Sequence, residues 1–214
     1  MSTVEEMIKE SLQELQKIGT EEIISGKGQE SKLIFPKYRS GEKKRISEQE
    51  SRLLFIRELE KQNEFYYSIE TPTKERYQKF SSETPEIGTG RSGCIDMTLY
   101  TKDEEGKCCR RHMIEFKFNN VKTCKKDFLK LLCDNDECVI NYYINILENC
   151  KKNTIPNLEK KFCESIKYIF KNYSKEIKSK LMIFVCILGN NKTGNSIIEY
   201  EIIDKNHELI KQKK

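Results

Sequence analysis

The chain has 214 residues, 36% apolar and 34% charged, and its 39 basic and 34 acidic side chains leave a formal net charge of +5. That length suits one domain with a sizeable core, and so mild a basic excess permits a nucleic-acid partner without demanding one. The longest apolar run, Leu181 to Leu188, is far too short for a bilayer, the opening Met1 to Glu6 lacks the basic start and apolar core of a leader, and nine cysteines without a C-x-x-C spacing read as reduced, mostly buried thiols of a cytoplasmic protein.

Residues 3–18 predict an amphipathic helix, with Val4, Ile8, Leu12, Leu15 and Ile18 on one face and Gly19 as its stop. Residues 25–45 read as an irregular arm, broken by Leu33-Ile34-Phe35-Pro36, a short strand or docked loop. The arm carries Lys37, Arg39, Lys43, Lys44 and Arg45, which suit either phosphate contact or a solvated charged loop. A second helix starts at Ser47. Ser47-Glu48-Gln49-Glu50 has the capping-box pattern, Ile46 sits where a hydrophobic staple would, and Leu53, Leu54, Phe55, Ile56 and Leu59 surround much of the helix. Phe65 to Glu70 predicts a strand that Thr71-Pro72-Thr73 ends. Residues 74–93 read as a polar connection. In it Gly88, Gly90, Arg91, Ser92 and Gly93 form a donor-rich segment suited to a phosphate backbone or to an ordinary loop.

The informative stretch is Gly93 to Lys117. Gly93 to Tyr100 alternates, placing Ile95, Met97 and Leu99 on one face and Asp96 and Thr98 on the other. Met113 to Phe118 alternates too, with Ile114, Phe116 and Phe118 opposite Glu115 and Lys117. Glu115 and Lys117 therefore emerge side by side, and a hairpin brings Asp96 next to them. Two carboxylates offer hard oxygen ligands for Mg²⁺ or Mn²⁺. An adjacent ammonium suits a metal-bound water or a phosphate.

A helix over 123–133 follows, with Cys124, Phe128, Leu131 and Leu132 inward and Lys125, Lys126, Asp127 and Lys130 outward. Val139 to Leu147 then reads as a strand. A helix over 157–179, a buried strand from Lys180 to Leu188, a turn over 189–195 and a strand from Ser196 to Ile203 complete the pattern. Asp204 to Lys214 is expected to be a charged, frayed tail.

Asp96 followed by Glu115-Phe116-Lys117 resembles the catalytic signature of the PD-(D/E)xK, or restriction-endonuclease-like, nuclease superfamily. The predicted order helix, strand, strand, strand, helix, strand matches its αβββαβ core. The resemblance covers roughly residues 46–148 and departs at Ile95, where the family pattern has Pro. It implies an α/β fold with a mixed central sheet flanked by helices and does not explain the flanks; the chain pattern divides into an N-terminal helix and basic arm over 1–45, a nuclease-like domain over 46–204 with its core at 46–148, and a charged tail over 205–214. The resemblance further implies Mg²⁺ (or Mn²⁺) held by Asp96, Glu115 and the Phe116 carbonyl, with Lys117 beside the attacking water. A Glu on the preceding helix would support the metal, Glu50 in preference to Glu48. The partner would be nucleic acid, DNA above all, touched by Arg91, Ser92, Lys43, Lys44, Arg45 and Lys130. A homodimer is compatible with it. The cysteines lack the clustered spacing of an iron–sulfur site. With only His112 and His207, no phosphate loop and no G-x-S-x-G elbow, other hydrolytic chemistries lack their parts. The competing expectation is a catalytically silent nucleic-acid-binding or structural protein on the same fold.

Overall fold

The computed structural model describes residues 3–20, 33, 47–79, 84–119, 124–134, 140–189, 197–203 and 208–211. Lys37, Arg39, Lys43, Lys44 and Arg45 of the basic arm lie outside them.

Helix α1 (Val4–Thr20) begins with a reciprocal cap. The Glu6 amide donates to the Thr3 hydroxyl and the Thr3 amide donates to the Glu6 carboxylate. Helix α2 (Glu48–Leu59) has the expected capping box at Ser47 and Glu50. Strands β1 (Tyr66–Gln78), β2 (Glu86–Ile87), β3 (Arg91–Lys102) and β4 (Cys108–Phe118) follow, then α3 (Cys124–Cys133) and β5 (Ile140–Asn149). Helix α4 (Thr154–Tyr173) and strands β6 (Lys180–Gly189), β7 (Ile197–Ile203) and β8 (Glu208–Lys211) end the order. The expected frayed tail thus contributes an edge strand instead, because Glu208–Lys211 pairs with β7.

The strands form one eight-stranded mixed sheet in the order β2-β1-β3-β4-β5-β6-β7-β8. The pairs β4–β5 and β5–β6 are parallel and the others antiparallel. Each parallel pair needs a crossover, and α3 and α4 supply them on one face. There Phe128, Leu131, Phe162 and Ile166 pack on Met113, Tyr143 and Ile183. On the other face Ile8, Leu12, Leu54 and Phe55 of α1 and α2 pack on Met97, Ile114, Phe116, Ile144 and Phe184. The fold is therefore α/β in three layers. With both faces covered, β5 is buried almost end to end, its two inner asparagines Asn141 and Asn145 included.

Two strands depart from expectation. Proline does not end β1, which continues past Pro72 to Gln78 through a register shift between Pro72 and Arg76. The buried carboxylate of Asp134 accepts the amides of Lys74 and Glu75 at 3.2 and 2.8 Å, and the Arg110 guanidinium donates to the Pro72 carbonyl. Those bonds replace the ladder that proline interrupts. In β3, Ile95 does not share a face with Met97 and Leu99. Ile95 joins the α3–α4 layer, whereas Met97 and Leu99 join the α1–α2 layer. The alternation breaks at Asp96, whose neighbour across the β1–β3 pair is Glu70, a non-glycine residue with φ +53°.

The thiols also depart from expectation. Cys124, Cys133 and Cys186 are buried, but Cys94 and Cys108 are exposed and Cys109, Cys150 and Cys163 half-buried. No helix among the described residues is long and apolar enough to cross a membrane.

Candidate active site

Pairing between β3 and β4 runs from Lys102↔Cys108 to Met97↔Ile114 and then stops. Beyond that point the strands part, and the side chain of Asp96 enters the gap. Its Oδ2 accepts the Phe116 amide at 2.8 Å, a bond a neighbouring strand would otherwise make. In an extended strand a residue's N–H and C=O point to the same side. The Phe116 carbonyl therefore faces the gap too.

Glu115 and Lys117 lie on the α3 side of β4 and meet there. Lys117 Nζ donates to Glu115 Oε2 at 3.0 Å and stands 3.6 Å from Asp96 Oδ2. One ammonium thus touches both carboxylates. A third acid, Asp127 in the first turn of α3, is 3.7 Å from the same nitrogen. Lys130, one turn on, pairs with Glu115, stands 3.2 Å from Asp127 and donates to the Cys94 carbonyl at 2.8 Å. Glu115 and Asp127 are fully buried. Three carboxyl groups face two ammoniums, so the floor carries one more negative charge than positive only once all three are ionised, and neither Asp127 oxygen has a hydrogen-bond partner among the described residues.

This crowding shifts protonation. Burial, with the Asp127 charge added, pushes the Glu115 carboxyl up to about 8 against the pull of Lys130 and Lys117. Burial works against charge on Lys117 and Lys130, but the carboxylates of Glu115 and Asp127 outweigh it, holding Lys117 well above its usual range and Lys130 above its own.

Glu50 does not reach the floor. Its Oε2 accepts the Ser47 amide at 2.8 Å and the Ser47 hydroxyl, so the cap consumes it. The α2 acid that feels the site is Glu48, half-buried. Burial raises its carboxyl, and Lys117, Asp96, Arg52 and Asp127 all act on it. Lys130 is not a surface contact for phosphate either: at 3% exposed it is part of the floor. Arg91 and Ser92 do sit at the mouth, exposed at the start of β3.

The floor opens into a cleft of about 730 Å³ whose lining includes Glu70, Lys79, Arg91, Lys126 and the floor residues. Gly90 lets its wall close. A Cβ there would lie 1.9 Å from the Tyr77 carbonyl oxygen, so only glycine lets the chain pass so near β1.

Helical spacing alone puts Asp127 on the polar side of α3. That side faces the buried gap rather than water. The Asp127-x-x-Lys130 spacing, one turn apart directly after the Glu115 strand, is the signal that would have found it.

Hard carboxylate oxygens and a carbonyl oxygen suit a small divalent cation, whose charge would favour the ionised form of Glu115. Among the described residues no three acidic, histidine or cysteine side chains already form a metal cage. The Lys117 ammonium stands between the carboxylates instead. Compared with protein-family models, with curated proteins and with solved structures, the chain matches none.

Proposed function

We propose that this chain is a metal-dependent nuclease that hydrolyses phosphodiester bonds, in DNA above all, on a restriction-endonuclease-like core. The observation that carries the reading is the convergence of Asp96 and Glu115, from two strands that part beside them, on the single ammonium of Lys117. The order α2, β1, β3, β4, α3, β5, with the short β2 inserted, agrees with αβββαβ.

Asp96, Glu115 and the Phe116 carbonyl would hold Mg²⁺ or Mn²⁺. When bound, such an ion lowers the pKa of a coordinated water and offsets charge on the phosphoryl group. Asp96 and Glu115 orient their oxygens from two different strands, Asp96 through its bond to the Phe116 amide. Lys117 supplies a fixed positive charge beside the reacting phosphate. Lys130 holds Glu115 and Asp127 in place from below.

The second reading, a silent nucleic-acid-binding protein, draws on the lysine that bridges the carboxylates where a cation would be expected. One experiment separates them. Purified chain is incubated with plasmid, single-stranded DNA, flapped DNA and RNA in Mg²⁺, Mn²⁺ or chelator. Cleavage that needs the metal and disappears in Asp96→Asn and Lys117→Ala supports the nuclease. Binding indifferent to metal and to both substitutions, without cleavage, supports the silent protein.

A further inference from the structure

The acidic floor repels the phosphates that the proposed substrate carries, so a strand needs cations at the mouth that can be given over to it. Lys117 and Lys130 are committed to the carboxylates beneath. Arg52 is placed differently. It lies on α2 one turn after Glu48, with its side chain 15% exposed, and its guanidinium reaches the edge of the gap. Nη1 donates to the Asp96 carbonyl at 3.5 Å and to Glu70 Oε1 at 3.2 Å, and Nη2 bonds Gln49.

The partner Glu70 is unusual. Its side chain is 60% exposed, it lines the cleft, and its backbone is left-handed at φ +53° directly across from Asp96. A non-glycine residue in that region carries local strain, which clusters at sites that bind or switch. With Glu70 this open to solvent, its pairing with the mostly buried Arg52 is screened and contributes little to the fold. A carboxylate and a phosphate oxygen pair present the same face to a guanidinium fork.

We propose that Arg52 is a substrate-binding residue, whose guanidinium exchanges the Glu70 carboxylate for a backbone phosphate of the nucleic acid entering the cleft. Glu70 acts as a stand-in anion that keeps Arg52 aimed at the Asp96 edge until the strand displaces it. The inference rests on the nucleic-acid reading but not on catalysis.

The test is binding in chelator, so that no cleavage intervenes. Fluorescence anisotropy of a labelled DNA duplex is read against salt for the unaltered chain, Arg52→Gln, Glu70→Gln and the double variant, each checked for folding by thermal melting. Arg52→Gln should weaken binding by roughly tenfold and lower the steepness of log affinity against log salt by about 0.9, the loss of one phosphate contact. Glu70→Gln removes a competing anion from an exposed position and should tighten binding severalfold. In the double variant most of that gain should vanish. Unchanged affinity and salt slope in Arg52→Gln, with the unaltered chain binding normally, overturns the exchange and leaves the nuclease reading standing. An equal gain from Glu70→Gln with or without Arg52 also overturns it. Failure of the unaltered chain to bind DNA overturns both.

Discussion

The Asp96 carboxylate accepts the Phe116 amide at 2.8 Å across the point where β3 and β4 stop pairing. A single side chain therefore closes the end of a ladder and supplies an oxygen to the site. Asn can keep the first role, because its amide oxygen still accepts the N–H, whereas Ala cannot. Asp96→Asn should remain within about 1 kcal/mol of the unaltered chain, and Asp96→Ala should lose about 1–3 kcal/mol for an amide left without its partner. Urea unfolding followed by circular dichroism measures both. Cleavage should be lost in both.

Lys117→Ala removes the ammonium shared by Asp96, Glu115 and Asp127. The floor then carries one more negative charge than positive while Glu115 keeps its proton, and two more once it ionises. DNA binding in chelator should weaken, and Mg²⁺ should restore it by roughly tenfold or more by bridging carboxylates and phosphate. Equal binding of this variant in chelator and in Mg²⁺ would contradict the bridge.

Lys130 is a buried partner of two buried carboxylates. Lys130→Met should destabilise the chain by about 3–5 kcal/mol, the cost of leaving a buried charge uncompensated. The lost stability should be read by denaturant midpoint in metal-free buffer. A mere loss of salt-dependent DNA affinity, with stability intact, would return Lys130 to the surface role that helical spacing suggested.

The carboxyl of Glu115 is held at about 8 in the folded chain against an ordinary 4.5. Between those values the folded state binds the proton and the unfolded state does not. Metal-free stability should therefore fall as pH rises from about 4.5 to about 8 and level off above. Glu115→Gln should flatten that fall. Comparing the two chains also cancels His112, whose imidazole burial holds below its usual range and whose contribution has the opposite slope. Mg²⁺ needs the ionised carboxylate, so its affinity should climb over the same pH window. Titrations at three pH values check this.

Glu50 and Glu48 sit two residues apart and should behave differently. Glu50→Ala breaks the capping box and should cost about 1 kcal/mol of stability without altering Mg²⁺ affinity. Glu48→Gln should leave stability nearly unchanged and weaken Mg²⁺ binding. Calorimetric titration of both variants decides it.

Local chemistry in the amino-acid order already carried much of this protein. Ser47 and Glu50 define a cap within four residues. The alternation around Glu115 puts that residue and Lys117 on one face, and the spacing of Val4, Ile8 and Leu12 marks the buried side of a helix. These follow from periods of two and 3.6, which depend only on neighbours along the chain. What lay beyond sequence depended on residues distant in order. Asp127 and Lys130 look solvated on a helical wheel and are buried because α3 lies against the opening between β3 and β4. Ile95 leaves the face of Met97 because β1 and β3 both break their pleat at Glu70 and Asp96. Glu208–Lys211 becomes a strand because β7 offers it an edge. Partners such as these are set by packing across the sheet, where burial and the need to satisfy every polar backbone group override local preference.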